Sequence, residues 1–241
     1  MAKLNKAKGN MYEWVTHTLS VGKGCSHQCT YCYVKARGRI QPDHYVRDTE
    51  LPDLGSGKTI FVGHQSDLFS DEIPVTDIIE VLTHLSKFPD NKYVLQTKNP
   101  LRLADMLEFH LPDYFPPTLM IGTTIETNRQ DVLDRVSKAP SAESRSLGMS
   151  KILRESRTVG IAHVQGAEKF LTVEPIMRFD CDELVRLIKQ ANPDFVNIGA
   201  DSKGHGLEEP TRDEVMGLAE ALGKVGIRIN KKFNLERLVG I

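Results

Sequence analysis

The 241-residue chain has little cysteine, with four in all, a single tryptophan, and no apolar run approaching the roughly 18–20 residues that a membrane-spanning helix needs. Its basic opening, MAKLNKAKGNMYEW, is not followed by the apolar stretch of a secretory signal. The expectation is a cytoplasmic protein with no membrane partner. Charge of one sign is missing too. The 31 Lys and Arg face 32 Asp and Glu, a net charge of −1. No global field therefore draws the chain onto nucleic acid or an acidic bilayer, although a local basic groove is compatible with such a balance. Repeats, low-complexity tracts and Gly/Ser linkers are absent, and the length suffices for a sizeable core. The expectation is one domain over 1–241.

What cysteine there is lies almost wholly in one place. Three of the four fall within the segment Gly24-Cys25-Ser26-His27-Gln28-Cys29-Thr30-Tyr31-Cys32-Tyr33, and Cys181 stands far away. A disulfide scaffold spreads its cysteines between elements of a small secreted chain. Clustering in a chain of this size reads instead as metal ligation in a reducing compartment. The spacing is C-x3-C-x2-C. Three thiolates on one loop can hold three irons of a [4Fe–4S] cube and leave the fourth iron open to a ligand. Ferredoxin-type ligation would add a fourth cysteine, often followed by proline, which this segment lacks. The alternative is a zinc site completed by His27, His44 or His64, but structural zinc usually pairs C-x2–4-C with a second, distant pair. Cys181 reads as a small buried hydrophobe.

Along the rest of the chain short apolar runs alternate with helix-like segments. Thr18–Val21, Thr59–Gly63, Lys92–Thr97, Leu119–Thr124, Lys169–Glu174 and Phe195–Gly199 are the expected strands, with Ile227–Asn230 a candidate seventh. They are mostly apolar and rich in β-branched or aromatic residues, as strands covered on both faces are. Thr76–Lys87 brings Ile78, Ile79, Leu82 and Leu85 to one face of a helix, with Thr76 or Asp77 at its start. Leu101–Phe109, Asn128–Val136, Asp182–Ala191 after an Asp180 cap, and Thr211–Lys224 with Thr211 and Glu214 at capping-box spacing complete the helices. Right-handed β/α alternation predicts an α/β fold of mostly parallel strands, a partial (β/α)6 barrel or an open doubly wound sheet. Either form gathers ligands at the carboxyl ends of its strands.

The cysteine motif, lying between a first strand and a helix, resembles the radical S-adenosylmethionine (SAM) superfamily. That resemblance implies a partial (β/α)6 radical SAM barrel. It implies a [4Fe–4S] cluster held by Cys25, Cys29 and Cys32, SAM chelating the open iron, and an external electron donor. Reductive cleavage of SAM then yields a 5′-deoxyadenosyl radical that abstracts hydrogen from substrate. Residues at the expected strand ends suit a SAM site: Ser66 and Asp67 for the amino group, Lys98 for the carboxylate, and Thr124 and Glu126 for ribose and amine, with Glu174 next. Asp67 and Asn128 have an equally ordinary reading as helix N-caps.

The order GCSHQCTYCY, SDLF, TKNP, GTTIE, VEPI and IGADS, running from Trp14 to NKKFNLERLV, is similar to the phage Gp37/Gp68 family, a domain of unknown function within radical SAM. A more distant likeness is to spore photoproduct lyase, a DNA repair enzyme. It implies SAM contacts at Ser66, Lys98 and Thr124, with Tyr31 and Tyr33 flanking the third cysteine. The lyase has a hydrogen-donating cysteine just before the first of these serines. Gln65 stands there in this chain, so the resemblance does not extend to thymine-dimer repair.

No catalytic residue for the substrate is identified by the sequence. Basic residues of the 135–157 segment outnumber Glu143 and Glu155, which points either to a nucleic acid or nucleotide substrate or to a solvated helical face. Lys231, Lys232, Phe233 and Asn234 form a second, weaker basic patch. The competing class is a non-catalytic module, a cluster-bearing or zinc-bearing scaffold acting through a partner protein.

Overall fold

All seven expected strands pair in parallel within one sheet. A computed structural model describes residues 2–36, 44–48, 50–109, 114–152 and 167–240. The chain opens with β1 (Leu4–Lys6), which pairs antiparallel with β2 (His17–Leu19). Then β3 (Gly22–Lys23), α1 (Tyr33–Ala36) and β4 (Val46–Arg47) bracket the cysteine segment, β3 and β4 forming a two-stranded antiparallel ribbon. From there β5 (Thr59–Val62), α2 (Val75–Ser86), β6 (Lys92–Thr97), α3 (Pro100–Phe109) and β7 (Leu119–Thr124) alternate. They are followed by α4 (Gln130–Val136), α5 (Ala142–Lys151), β8 (Glu168–Val173), α6 (Cys181–Ala191), β9 (Phe195–Ile198) and α7 (Arg212–Lys224). The chain closes on β10 (Arg228–Lys231), a 3-10 turn at Phe233–Leu235, and α8 (Glu236–Val239). The strand order is β1-β2-β5-β6-β7-β8-β9-β10, a partial barrel.

Several local expectations shift. Helix α2 begins at Val75 behind Pro74, whose fixed φ suits a helix start, so neither Thr76 nor Asp77 caps it. Asp67 and Asn128 cap no helix: Arg129 precedes α4, and Asn128 bonds Asp180 across the loop. Asp180 precedes α6 but gives it no side-chain cap. At α7 the Thr211–Glu214 capping box forms as read. Strand β1, the β3–β4 ribbon and helix α5 had no expectation, being short or of weak apolar pattern. The 153–157 part of the basic segment lies outside the described residues.

Alternation along the strands builds the interior in layers. Outward-facing Leu95, Ile121, Leu171, Val173, Val196 and Ile198 pack with the surrounding helices in the main core. Inward residues form a separate apolar floor of Val94, Met120, Phe170 and Phe195, near the amino ends of their strands. Tyr12 and Trp14, stacked with centroids 4.9 Å apart, plug that floor from the segment between β1 and β2. One step further along, the inward residues turn polar. Tyr12 Oη bonds Gln96 at 2.8 Å and Thr172 at 2.6 Å, and Gln96 Nε2 donates to Thr124 Oγ1 at 2.7 Å. The next inward positions are charged, with Lys98, Glu126 and Glu174 standing above the polar belt at the carboxyl ends of β6, β7 and β8. Gly122 faces inward beside Phe170, and a Cβ there would lie 2.3 Å from the ring. Only glycine leaves the Phe170 ring its place.

Candidate functional site

The cysteine loop owes its course to backbone that few residues adopt. Gly24 has φ +96°, and a Cβ on it would meet the carbonyl oxygen of His44. Gln28 also has positive φ, at +47°, and its side-chain amide donates to the Cys25 carbonyl at 2.7 Å, closing the turn. Helix α4 and the loop after it dock against the far side: Thr30 N donates to Val136 O at 2.8 Å and Lys138 N to His27 O at 2.7 Å. Cys29 is buried against Tyr31, Val132 and Met177, with its sulfur 3.1 Å from Ser137 Oγ. Glu72 accepts both the amide and the hydroxyl of Ser26, fixing the residue after the first cysteine.

Asp67 joins this loop to two strand ends. Its Oδ2 takes Nε2 of His27 at 2.9 Å and the amide of Lys98 at 2.7 Å, while Oδ1 takes the amide of Phe69 at 3.1 Å. Burial alone would raise this carboxyl, but the hydrogen bond and charge of His27 outweigh it and hold it below the ordinary 3.8. Burial, then the neighbouring Asp67, pushes the Cys25 thiol up to about 12. That thiol becomes a thiolate only when a positive ion arrives to reverse the balance.

Beside the loop lies a buried knot of charge. Glu126 Oε1 accepts Tyr31 Oη at 2.7 Å and the ammonium of Lys98, and Oε2 accepts Nη1 of Arg145 at 2.6 Å. Burial works against an ionised Glu126, yet the two cations hold it well below the ordinary 4.5. Burial and that same carboxylate drive the Tyr31 phenol well above its usual range.

A cavity of about 2110 Å³ opens over the carboxyl ends of the strands, and all three clustered cysteines reach it. Tyr31, Tyr33, Ser66 and Asp67 line it from the first two strand ends, and Lys98, Thr124 and Glu174 from the next three. Glu126 lies behind this surface, 1% exposed, as the counter-ion of Lys98 and Arg145. Glu174 is tied at the wall by Asn10 at 2.6 Å, Asn234 at 2.8 Å and Lys232 at 2.6 Å. Cys181 starts α6, away from the cavity.

The sequence points to His27 only as a zinc ligand, not as the partner of Asp67, and does not mark Arg145 or His205 as site residues. Arg145 lies in the basic 135–157 segment, but it is fully buried on α5 and neutralises Glu126. Arg135 in the same segment pairs with Asp131 and Glu208. The described part of 135–157 therefore does not present a continuous basic face.

The residues fit an iron–sulfur cluster and SAM. Among the described residues all four cysteines are free, and no three His, Cys, Asp or Glu side chains stand close enough together to share one metal ion. His27, a proposed zinc ligand, is engaged by Asp67. Ser66 Oγ, at the cavity wall, is buried with no hydrogen-bond partner, an unmet polar group that a bound ligand would satisfy.

These features define an α/β partial barrel with a cysteine-lined cavity at the carboxyl ends of its strands. The chain belongs to the family described as "Protein of unknown function (DUF5131)", whose model matches residues 10–202. Among solved structures, a spore photoproduct lyase mutant is similar, with a TM-score of 0.63 and 9% identity over 92% of this chain and 78% of that one. Spore photoproduct lyase complexed with dinucleoside spore photoproduct gives a TM-score of 0.56 and 12% identity, covering 90% of this chain and 63% of the other. SuiB of Streptococcus suis, bound to S-adenosylmethionine, gives 0.53 and 9%, covering 88% and 49%. The chain thus spans less than two thirds of the latter two. No curated protein matches the sequence. No helix among the described residues is long and apolar enough to cross a membrane.

Proposed function

We infer that this protein is a radical SAM enzyme acting on a nucleotide or nucleic acid. The observation that carries the reading is the convergence of Cys25, Cys29 and Cys32 on the same cavity as the unpartnered Ser66 hydroxyl and the Lys98 ammonium. Bound there, a [4Fe–4S] cluster with an open iron and SAM would supply reductive carbon–sulfur cleavage and a radical that abstracts hydrogen from substrate. Cys25, Cys29 and Cys32 hold the three ligated irons, and Ser66 accepts from the amino group of the cofactor. Lys98 is shared with Glu126, whose second oxygen is already neutralised by Arg145, so the lysine keeps charge to offer a carboxylate. Thr124 presents a hydroxyl to the ribose, with its own oxygen oriented by Gln96. Glu174 and Tyr33 line the same cavity. The volume exceeds the roughly 300–1,000 Å³ of a site for one small ligand, leaving room for cofactor and substrate together.

The substrate class is supported by the rim, where Lys3, Lys6, Lys8, Lys23 and Lys203 are exposed, line the opening and make no ion pair among the described residues. A similar fold has been solved with SAM and a dinucleoside spore photoproduct. Free thiols and an oxygen-labile cluster suit the reducing cytoplasm.

The test is anaerobic reconstitution with iron and sulfide, then dithionite and SAM. The expected outcome is a brown protein that forms 5′-deoxyadenosine. Cys29→Ala should lose both colour and product, and Cys181→Ala neither. A fully loaded cluster yielding no 5′-deoxyadenosine would refute the reading.

A further inference from the structure

The wall formed after β9 and β10 carries groups that the cofactor chemistry leaves unused. Asp201, buried beyond the end of β9, accepts Nδ1 of His205 at 2.6 Å, the amide of Lys203 at 3.0 Å and the amide of His205 itself. Burial opposes the ionised form, but these bonds bring its carboxyl below the ordinary 3.8. A carboxylate partner accepts, so Nδ1 donates, and in the tautomer that this bond selects Nε2 is left as an acceptor. That Nε2 is shielded from bulk water and has no hydrogen-bond partner, while His205 lines the cavity.

The turn after β10 is docked on this wall. Asn234 donates to the Ala200 carbonyl, and Arg237 Nη2 to the Asp201 carbonyl at 3.2 Å. This holds Phe233 at the cavity lip with 78% of its surface exposed. Burial does not account for an aromatic ring so exposed, but a flat ligand stacking on it would. The five unpaired lysines named above surround the same opening.

We propose that this wall is a nucleobase subsite. Phe233 stacks on a base of a single-stranded nucleic acid, Nε2 of His205 accepts a hydrogen bond from an N–H on that base's edge, and the rim lysines hold flanking phosphates. An unpaired strand is required because a duplex hides base faces and Watson–Crick edges. Asp201 acts through His205 by fixing its tautomer. The proposal rests on the nucleic acid reading of the substrate and deepens it.

The experiment uses the full chain and two fluorescein-labelled probes, a short single-stranded DNA of mixed sequence and an abasic strand of equal length with the same phosphates. Fluorescence anisotropy should find the base-bearing strand bound about tenfold more tightly. His205→Ala and Phe233→Ala should each remove most of that preference while binding the abasic strand as the wild type does. Lys6→Ala/Lys8→Ala should weaken both probes alike. Phe233 is exposed, so its variant tests the subsite even if His205→Ala fails to fold. A wild type that binds neither strand, or both equally, or a Phe233→Ala protein that keeps the preference, would overturn the proposal. Formation of 5′-deoxyadenosine without nucleic acid is measured on the same preparations. Its absence counts against the radical reading, and the base preference still reports on the subsite.

Discussion

Arg145 and Glu126 form an ion pair of 2.6 Å in which both side chains are almost fully withdrawn from solvent, at 0% and 1% exposure. Removing the arginine leaves a buried carboxylate with Lys98 as its one remaining cation. Breaking such a pair costs about 3–5 kcal/mol. Arg145→Met is expected to lower Tm by about 10 °C in a thermal scan. Glu126→Gln/Arg145→Met should recover part of the loss, because no uncompensated charge then stays buried. A single variant as stable as the wild type would show that the pair does not hold the site together.

The same carboxylate makes the fold acid-sensitive. Its folded pKa is depressed, so its contribution is complete above the ordinary 4.5 and disappears as pH falls towards the lower folded value. Asp67 acts in the same direction from 3.8. Denaturant unfolding between pH 5 and pH 3, on the order of the ordinary carboxylate range, should show stability falling more steeply in the wild type than in Glu126→Gln. Equal slopes would contradict the linkage.

Ser66 offers a cleaner probe of the cofactor site than Lys98, because its hydroxyl bonds nothing in the protein. Ser66→Ala should leave the unfolding free energy within about 0.5 kcal/mol of the wild type and weaken SAM binding to the loaded protein by about tenfold, the loss of one charge-assisted hydrogen bond. Isothermal titration would measure it. Unchanged affinity would remove Ser66 from the site.

Gly122 and Phe170 share one space in the barrel floor. Gly122→Ala should destabilise by about 1–3 kcal/mol through overpacking, and Phe170→Leu added to it should cost less than the sum of the two single changes. Additive losses in a double-mutant cycle would mean that the clash is relieved elsewhere.

Much of this was legible in the sequence. The seven parallel strands were found at nearly their observed bounds, because strands covered on both faces are written as short apolar runs. The cysteine cluster stood out because ligation by one loop imposes a local spacing. The layering of the barrel is written there too: Val94-x-Gln96-x-Lys98 and Phe170-x-Thr172-x-Glu174 each pass from apolar through polar to charged in steps of two. Short pieces escaped, such as β1 and the β3–β4 ribbon, since two or three residues stabilised by their pairing carry no pattern of their own.

The amino-acid order by itself determined the α/β alternation, the C-x3-C-x2-C loop and the placing of polar residues at strand ends, for all of these depend on neighbours close in the chain. Only the tertiary structure decided that Arg145 belongs to Glu126 rather than to a basic surface, that Asp67 ties His27 to the backbone of Lys98, and that His205 and Phe233 share a wall with the cysteines. Those partners lie between 19 and 208 positions apart. Charge pairing at such separations is fixed by which strand ends the curved sheet brings together, and no local period in the sequence records it.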